Sequence, residues 1–269
     1  MAARKRRFNR RPARNVTLDR SQFPVIHAVT DSASVSHEGF LDRAGAVMRA
    51  LGSRGALHLR SSRISGREFH ELAALLAARQ ASTGCWLIVN DRVDVALAVR
   101  ARGVQLASHS LRVPEALAAA PNLPVGASIH SVEEAIEAER DGASWCVAGT
   151  VFETPSHAGR APARVEFIAE VARAVRIPVI AIGGITPDDV PVLIRAGAHG
   201  IATIRGSGWE LLLDASSEGD RLLETRLPVQ ADSGFIEPVT RYISAYDSVS
   251  GSGKNDHPDG ERSTTPARP

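Results

Sequence analysis

Short apolar runs rich in β-branched residues recur along the chain, each followed by a stretch whose apolar positions fall three and four residues apart. The runs have the pattern of strands buried on both faces. They are Pro24–Thr30, Ala56–Arg60, Trp86–Asp91, Gly103–Ala107, Val125–His130, Ser144–Val151, Val179–Gly183 and Gly200–Ile204. The intervening stretches predict helices over 38–52, 66–81, 92–101, 113–120, 131–141, 163–176 and 187–196. Eight strands separated by seven helices predict an α/β protein, a single-domain (β/α)8 TIM barrel. An open doubly wound sheet would carry a glycine fingerprint after its first strand, whereas this one ends in Thr30-Asp31-Ser32. The eighth helix is displaced. A polar insertion over about 211–234 precedes Phe235 to Tyr246, which has the apolar spacing of a closing helix.

Composition adds the limits of the domain. At 269 residues and 43% apolar content the chain can bury a sizeable core. The formal charge of +2 is unevenly spread: residues 1–14 hold seven Lys or Arg and no acid, which leaves −5 on the remainder. Residues 1–20 therefore predict a disordered basic arm, 21–247 the barrel, and 248–269 a disordered polar tail. With one aromatic, Phe8, among its charges, the arm is expected to be a solvated tail rather than a nucleic-acid contact. No apolar run has membrane-spanning length, and Cys85 and Cys146 lie in apolar runs without metal spacing. A cytoplasmic protein with buried thiols is expected, and a homodimer is compatible with this composition.

The stretch Ile177 to Ser207 carries the clearest site signal. A strand stops at Gly183-Gly184, Thr186-Pro187-Asp188-Asp189 open a helix, and a second strand closes at Gly206-Ser207. Backbone N–H groups can hold a phosphate where no side chain blocks the approach, and the loops after the last two strands of such barrels commonly do so. Side chains at the other strand ends converge on the same mouth. Two-residue alternation puts Gly126, Ser128 and His130 on one side of the fifth strand, with His130 last. Ser131 and Glu134 form the expected capping box of the next helix, leaving the His130 ring free. The second strand brings His58 and Arg60 to one face, with His58 expected to be a satisfied interior residue, and the third ends in Asn90-Asp91. Asp91 and Asp94 can pair with Arg92 or Arg60, and Thr154 opens a loop long enough to act as a lid. A phosphate cradle, an arginine and a histidine that titrates near neutrality suit proton transfer on a small phosphorylated substrate. No cluster of His, Cys and Asp specifies a metal.

Three stretches, LIVNDRVDVAL (Leu87–Leu97), GASIHSVEEAIEAERDGASWCVAGTVFET (Gly126–Thr154) and PVIAIGGITPDDV (Pro178–Val190), together resemble the thiamine phosphate synthase/TenI superfamily of (β/α)8 barrels. The resemblance runs from about Val25 to Gly206. It implies one of two activities. The synthase joins a pyrimidine pyrophosphate to thiazole phosphate, with magnesium held by two aspartates. The TenI-type tautomerase isomerises carboxythiazole phosphate to its aromatic form. The first aspartate position of the synthase matches Asp91, but the second is Ser110. Where the synthase has the basic strand-two pattern Gln-Leu-Arg-Glu-Lys, this chain reads His58-Leu59-Arg60-Ser61-Ser62, and its lid lysine is replaced by His157. The tautomerase's Ser-x-His-Ser matches Ser128-Ile129-His130-Ser131, which implies His130 as the proton-moving residue. Arg205 stands where the family usually has serine.

The resulting expectation is a cofactor-free thiazole tautomerase, closest to the TenI type, acting on a small phosphorylated thiazole. His130 would be catalytic, and Arg60, Asn90, Ser128, Thr154, Gly183, Gly184, Arg205 and Gly206 would bind substrate. Phosphate would dock on the N–H groups of Gly184 and Gly206. The alternatives are the magnesium-dependent synthase and a non-catalytic phosphate-ligand binder that uses the basic arm.

Overall fold

In a computed structural model, the described residues are 18–154, 162–207, 209 and 233–250. The eight strands are β1 (Ile26–Val29), β2 (Gly55–Leu59), β3 (Trp86–Asn90), β4 (Gly103–Leu106), β5 (Val125–Ile129), β6 (Trp145–Gly149), β7 (Val179–Ile182) and β8 (Gly200–Thr203). All neighbours pair in parallel, and β8 pairs back onto β1 to close the barrel. The helices that follow the strands are α1 (Phe40–Leu51), α2 (Gly66–Thr83), α3 (Val93–Ala98), α4 (Val113–Ala119), α5 (Val132–Arg140), α6 (Arg164–Ala174), α7 (Val190–Arg195) and α8 (Ser233–Ser250).

The ladders stop short of the expected strand ends. Thr30, Arg60, Asp91, Ala107, His130, Gly183 and Ile204 fall just past them, because the chain turns out of the sheet at the mouth. At the other end Val25 bonds Arg54 O before β1 begins. The predicted helix over 187–196 starts as a 3₁₀ turn, Pro187–Asp189. The strongest helix signal is that of α2. Ser65 Oγ accepts from Glu68 N at 3.2 Å, the Glu68 carboxylate accepts from Ser65 N at 2.8 Å, and Gly84 ends the helix at φ 76°.

Two boundaries differ from the sequence reading. Leu18, assigned to the arm, packs against the apolar cluster inside the barrel, and Arg20 donates to Arg176 O at 3.1 Å. The closing helix runs four residues past Tyr246, so Ser248 to Ser250 belong to it rather than to the tail. It packs on α1 and α7, in the slot an eighth barrel helix fills. The rest of the arm (1–17), the lid residues 155–161 with His157, most of the insertion and the tail beyond 250 lie outside the described residues.

Apolar side chains fill two layers. The larger lies between sheet and helices, and the smaller lies inside the barrel around Phe23, Ile88, Trp145, Val147 and Ile180. Cys85 and Cys146 are buried, and burial pushes both thiols up to about 12. The inner layer also holds polar groups that are paired with one another. The Trp145 indole N–H donates to Gln105 Oε1 at 2.8 Å, and Gln105 Nε2 donates to Ser128 Oγ at 3.1 Å. Gly126 has no side chain because a Cβ there would overlap that indole. On the opposite wall His27 Nδ1 and His58 Nε2 are 2.8 Å apart, and His27 Nε2 lies 3.0 Å from Pro24 O.

Burial holds His58 down at about 4, and burial and then the neighbouring His58 hold His27 well below the usual imidazole value near 6.5. His199, on the ring of Phe23, adds a smaller repulsion to His27. The folded values lie below the unfolded ones, so the unfolded chain binds more protons between pH 6.5 and about 4. Stability is therefore complete above about pH 6.5 and falls as pH drops through that window, by about 1.4 kcal/mol per pH unit for each histidine. Urea midpoints at pH 7.5 and 5.0 should show the loss, and His58→Leu should shrink the difference. Equal midpoints in the wild type would contradict it.

Candidate active site at the barrel mouth

The phosphate side is built from the ends of β6, β7 and β8. Gly183 and Gly184 have φ of 107° and 65°, a conformation L side chains rarely adopt. A Cβ on Gly183 would overlap Thr150, and one on Gly184 would overlap the backbone of Phe152 and Glu153. The two glycines thus let the β6 and β7 loops lie against each other. Next in the chain, the Asp189 carboxylate accepts from Thr186 N at 2.8 Å and from Thr186 Oγ1 at 2.7 Å, which fixes the turn into α7. A cavity of about 310 Å³ opens here, lined by Thr150, Glu153, Thr154, Gly183, Gly184, Arg205 and Gly206 among others.

One expected contact needs correction. The N–H of Gly206 donates to Thr203 Oγ1 at 3.0 Å, because the Arg205–Ser207 3₁₀ turn folds it back onto that hydroxyl. Gly206 lines the cavity without an amide to offer. The Gly184 N–H has no hydrogen bond among the described residues, and exposed Arg205 has no ion pair among them. Tyr242 of α8 completes the wall. Its hydroxyl donates to Ile185 O at 2.8 Å, and it occupies the space that a Cβ on Gly206 would need. The sequence reading did not find Tyr242, since the polar insertion separates it from the strand ends.

His130 stands on the same rim. Its Nδ1 lies 2.7 Å from Gly149 O, one residue before Thr150 of the cavity wall. A carbonyl only accepts, so Nδ1 carries a proton, and in the neutral ring the lone pair is on Nε2. The expected capping box is altered. Ser131 Oγ accepts from Glu134 N at 3.1 Å, but the Glu134 carboxylate takes the N–H of His130, at 2.6 Å, rather than that of Ser131. Glu134 therefore pins the histidine backbone, a role that its spacing alone disguised as an ordinary cap.

A second cavity of about 190 Å³ lies across β2 and β3, lined by Arg60, Asn90, Asp91 and Arg92 with Ile64 and Phe69. The Thr30 hydroxyl clamps the Arg60 backbone, donating to its O and accepting from its N, both at 2.8 Å. Arg92 is committed to Asp94 through two bonds of 2.9 and 2.7 Å, whereas the Arg60 guanidinium has no ion pair among the described residues. Ser128 lies deeper, half-buried under Gln105.

The two-aspartate magnesium site of the synthase does not fit these residues. Asp91, at φ 61°, spends one carboxylate oxygen on Ala107 N at 2.9 Å, tying the end of β3 to that of β4. Ser110, at the second position, closes a turn onto Ala107 O. Among the described residues no three His, Cys, Asp or Glu side chains form a metal-holding group.

Closed parallel strands with cavities among their C-terminal loops define a (β/α)8 barrel whose site lies at the mouth. The model of the thiamine monophosphate synthase (TMP-TENI) family matches residues 26–206, and the chain belongs to this family of thiamine-biosynthesis enzymes. Relatives include a thiamine-phosphate synthase of Chlorobium luteolum, 42% identical over 184 residues, covering 67% of this chain and 84% of the relative. One of Pyrococcus abyssi is 40% identical over 159 residues, covering 59% and 77%. The solved thiamine phosphate pyrophosphorylase of Pyrococcus furiosus superposes with a TM-score of 0.68 at 28% identity, covering 86% of this chain and 98% of that one. No helix among the described residues is long and apolar enough to cross a membrane.

Gly184→Ala tests the cradle. A left-handed non-glycine residue costs about 1–2 kcal/mol, and the added methyl would meet the Glu153 carbonyl. The affinity for a phosphate monoester should fall about tenfold or more by titration calorimetry. Unchanged affinity in a folded variant would move the phosphate elsewhere.

Proposed function

We propose that the protein is an isomerase that converts a non-aromatic carboxythiazole phosphate to its aromatic tautomer. The observation that supports this reading most directly is the His130 ring, which donates Nδ1–H to Gly149 O, so that Nε2 is the basic nitrogen of the neutral ring. In the proposed sequence the substrate phosphate docks at Gly183 and Gly184, with Arg205 assisting and Thr154 at the lid side. Arg60 and Asn90 hold the carboxylated end of the ring. Nε2 takes a proton from a ring carbon, the double bonds shift, and the same nitrogen returns the proton at another carbon. Atoms and charge balance, and gain of aromaticity drives the step. Such a reaction has no leaving pyrophosphate, in keeping with Ser62 and Ser110 in place of a lysine and an aspartate.

His130→Asn keeps a donor for Gly149 O but removes the base. Turnover of the thiazole tautomer should fall by about 10²–10⁴-fold with ligand affinity retained. Turnover equal to wild type would take His130 out of the mechanism.

The second reading is thiamine-phosphate synthase itself, which the names of the relatives favour. It is decided by incubating the protein with pyrimidine pyrophosphate, thiazole phosphate and magnesium. Formation of thiamine phosphate at a rate matching the isomerisation would make the synthase the better description.

A further inference from the structure

The polar groups inside the barrel decide which way the Ser128 hydroxyl points. The Trp145 indole N–H can only donate, and it lies 2.8 Å from Gln105 Oε1. The Leu106 carbonyl can only accept, and it lies 3.3 Å from Gln105 Nε2. Together these neighbours assign the Gln105 amide, because turning it over would set N–H against N–H and oxygen against oxygen. The second Nε2 proton then meets Ser128 Oγ at 3.1 Å, and there the hydroxyl has to accept. The indole itself is held in place by packing, since a Cβ on Gly103 or Gly126 would overlap it.

A hydroxyl that accepts one hydrogen bond still has its own proton to place. Ser128 Oγ donates to no other group among the described residues. Two-residue alternation puts Ser128 on the lumen face of β5 with Gly126, whose missing Cβ would meet Trp145 and Gln105. Beneath it the lumen is filled, with Trp145 packed among Phe23, Ile88 and Ile180 and Gln105 also buried. Ser128 is half-buried, so its open side faces up toward the mouth. His130 stands there, two residues on and about 7 Å higher along the chain.

We propose that Trp145 and Gln105 are positioning residues that aim the Ser128 hydroxyl proton at the ligand, where it donates to the atom that gains negative charge as His130 removes a proton. The ligand class is a carbon acid whose acidic carbon is conjugated with an acceptor, a ring nitrogen or a carboxylate oxygen. The carboxythiazole of the proposed reaction has both. As His130 Nε2 takes the proton, the C–H electron pair enters the conjugated system and its charge collects on the acceptor. Ser128 keeps its own proton and stabilises that charge through the hydrogen bond. Return of the proton to another carbon discharges it, so atoms and electrons balance. This deepens the proposed function and rests on it for the proton removal, whereas the direction of the hydroxyl stands without it.

Three measurements test it. In labelled wild-type protein, both Gln105 side-chain amide protons should exchange with solvent far more slowly than those of exposed Gln22. In Ser128→Ala, affinity for the aromatic carboxythiazole phosphate should fall about 2- to 10-fold by titration calorimetry, the range of one net hydrogen bond. Its kcat should fall further, about 10- to 100-fold, because a charged acceptor strengthens the bond. Ser128→Thr, which keeps the hydroxyl, should restore most of both. Trp145→Phe removes the shorter of the two anchors on the amide, so Ser128→Ala should cost less in that background than in the wild type. If Trp145→Phe does not fold, amide exchange and the Ser128 variants still decide. Fast exchange of either Gln105 proton, unchanged affinity and kcat in Ser128→Ala, equal costs in the two backgrounds, or failure of the wild type to bind the probe would overturn the proposal. Wild-type protein without isomerase activity, but with slow exchange and an affinity that falls with the Ser128 hydroxyl, would remove the proposed function and leave the serine donor standing.

Discussion

Pairing of β8 with β1, from Ile26 against Ile201 to Ala28 against Thr203, closes the sheet, and every contact at the mouth depends on it. An open parallel sheet would leave the β2–β3 cavity and the β7–β8 cradle at separate edges. Closure brings the carboxyl ends of all eight strands around one opening. The closing helix secures this geometry from outside. It lies on α1 and α7, on the two sides of the seam, and its Tyr242 reaches the Ile185 carbonyl at the cradle.

The same device sets protonation at two places in the barrel. A main-chain carbonyl fixes one nitrogen of a histidine, and the other nitrogen inherits its role. Gly149 O does this for His130, at an exposed rim where the free nitrogen can meet a ligand. Pro24 O does it for His27, deep in the interior, where the consequence passes to His58. Environment separates the two cases. The interior imidazoles are held neutral by burial, whereas His130 remains open to solvent.

The two halves of the mouth differ in what they can hold. The β7–β8 half offers a glycine turn and, among the described residues, an unbonded Gly184 amide and an Arg205 without an ion pair. In the β2–β4 half Arg60 has no ion pair among the described residues, and Asp91 is tied to the backbone at the end of β4. The chain belongs to the thiamine monophosphate synthase family, and among the described residues no group of His, Cys, Asp and Glu side chains could hold a metal ion.

The residue pattern by itself determined the barrel. Strand and helix periodicities are local properties of burial, so eight strands were legible in order, with errors of a residue or two where the chain leaves the ladder. It also determined which residue types stand at the mouth, because a strand's last positions are set by its own length. What only the tertiary structure decided was the partner of each polar group. His27 and His58 are 31 residues apart, His130 and Gly149 are 19 apart, and Tyr242 and Ile185 are 57 apart. No local spacing announces such pairs. The Gly206 amide was lost to Thr203, and Glu134 turned to His130, for a related reason. A hydrogen bond is directional and selective on a scale finer than any hydrophobic period, so it is fixed only when the packed chain brings donor and acceptor together.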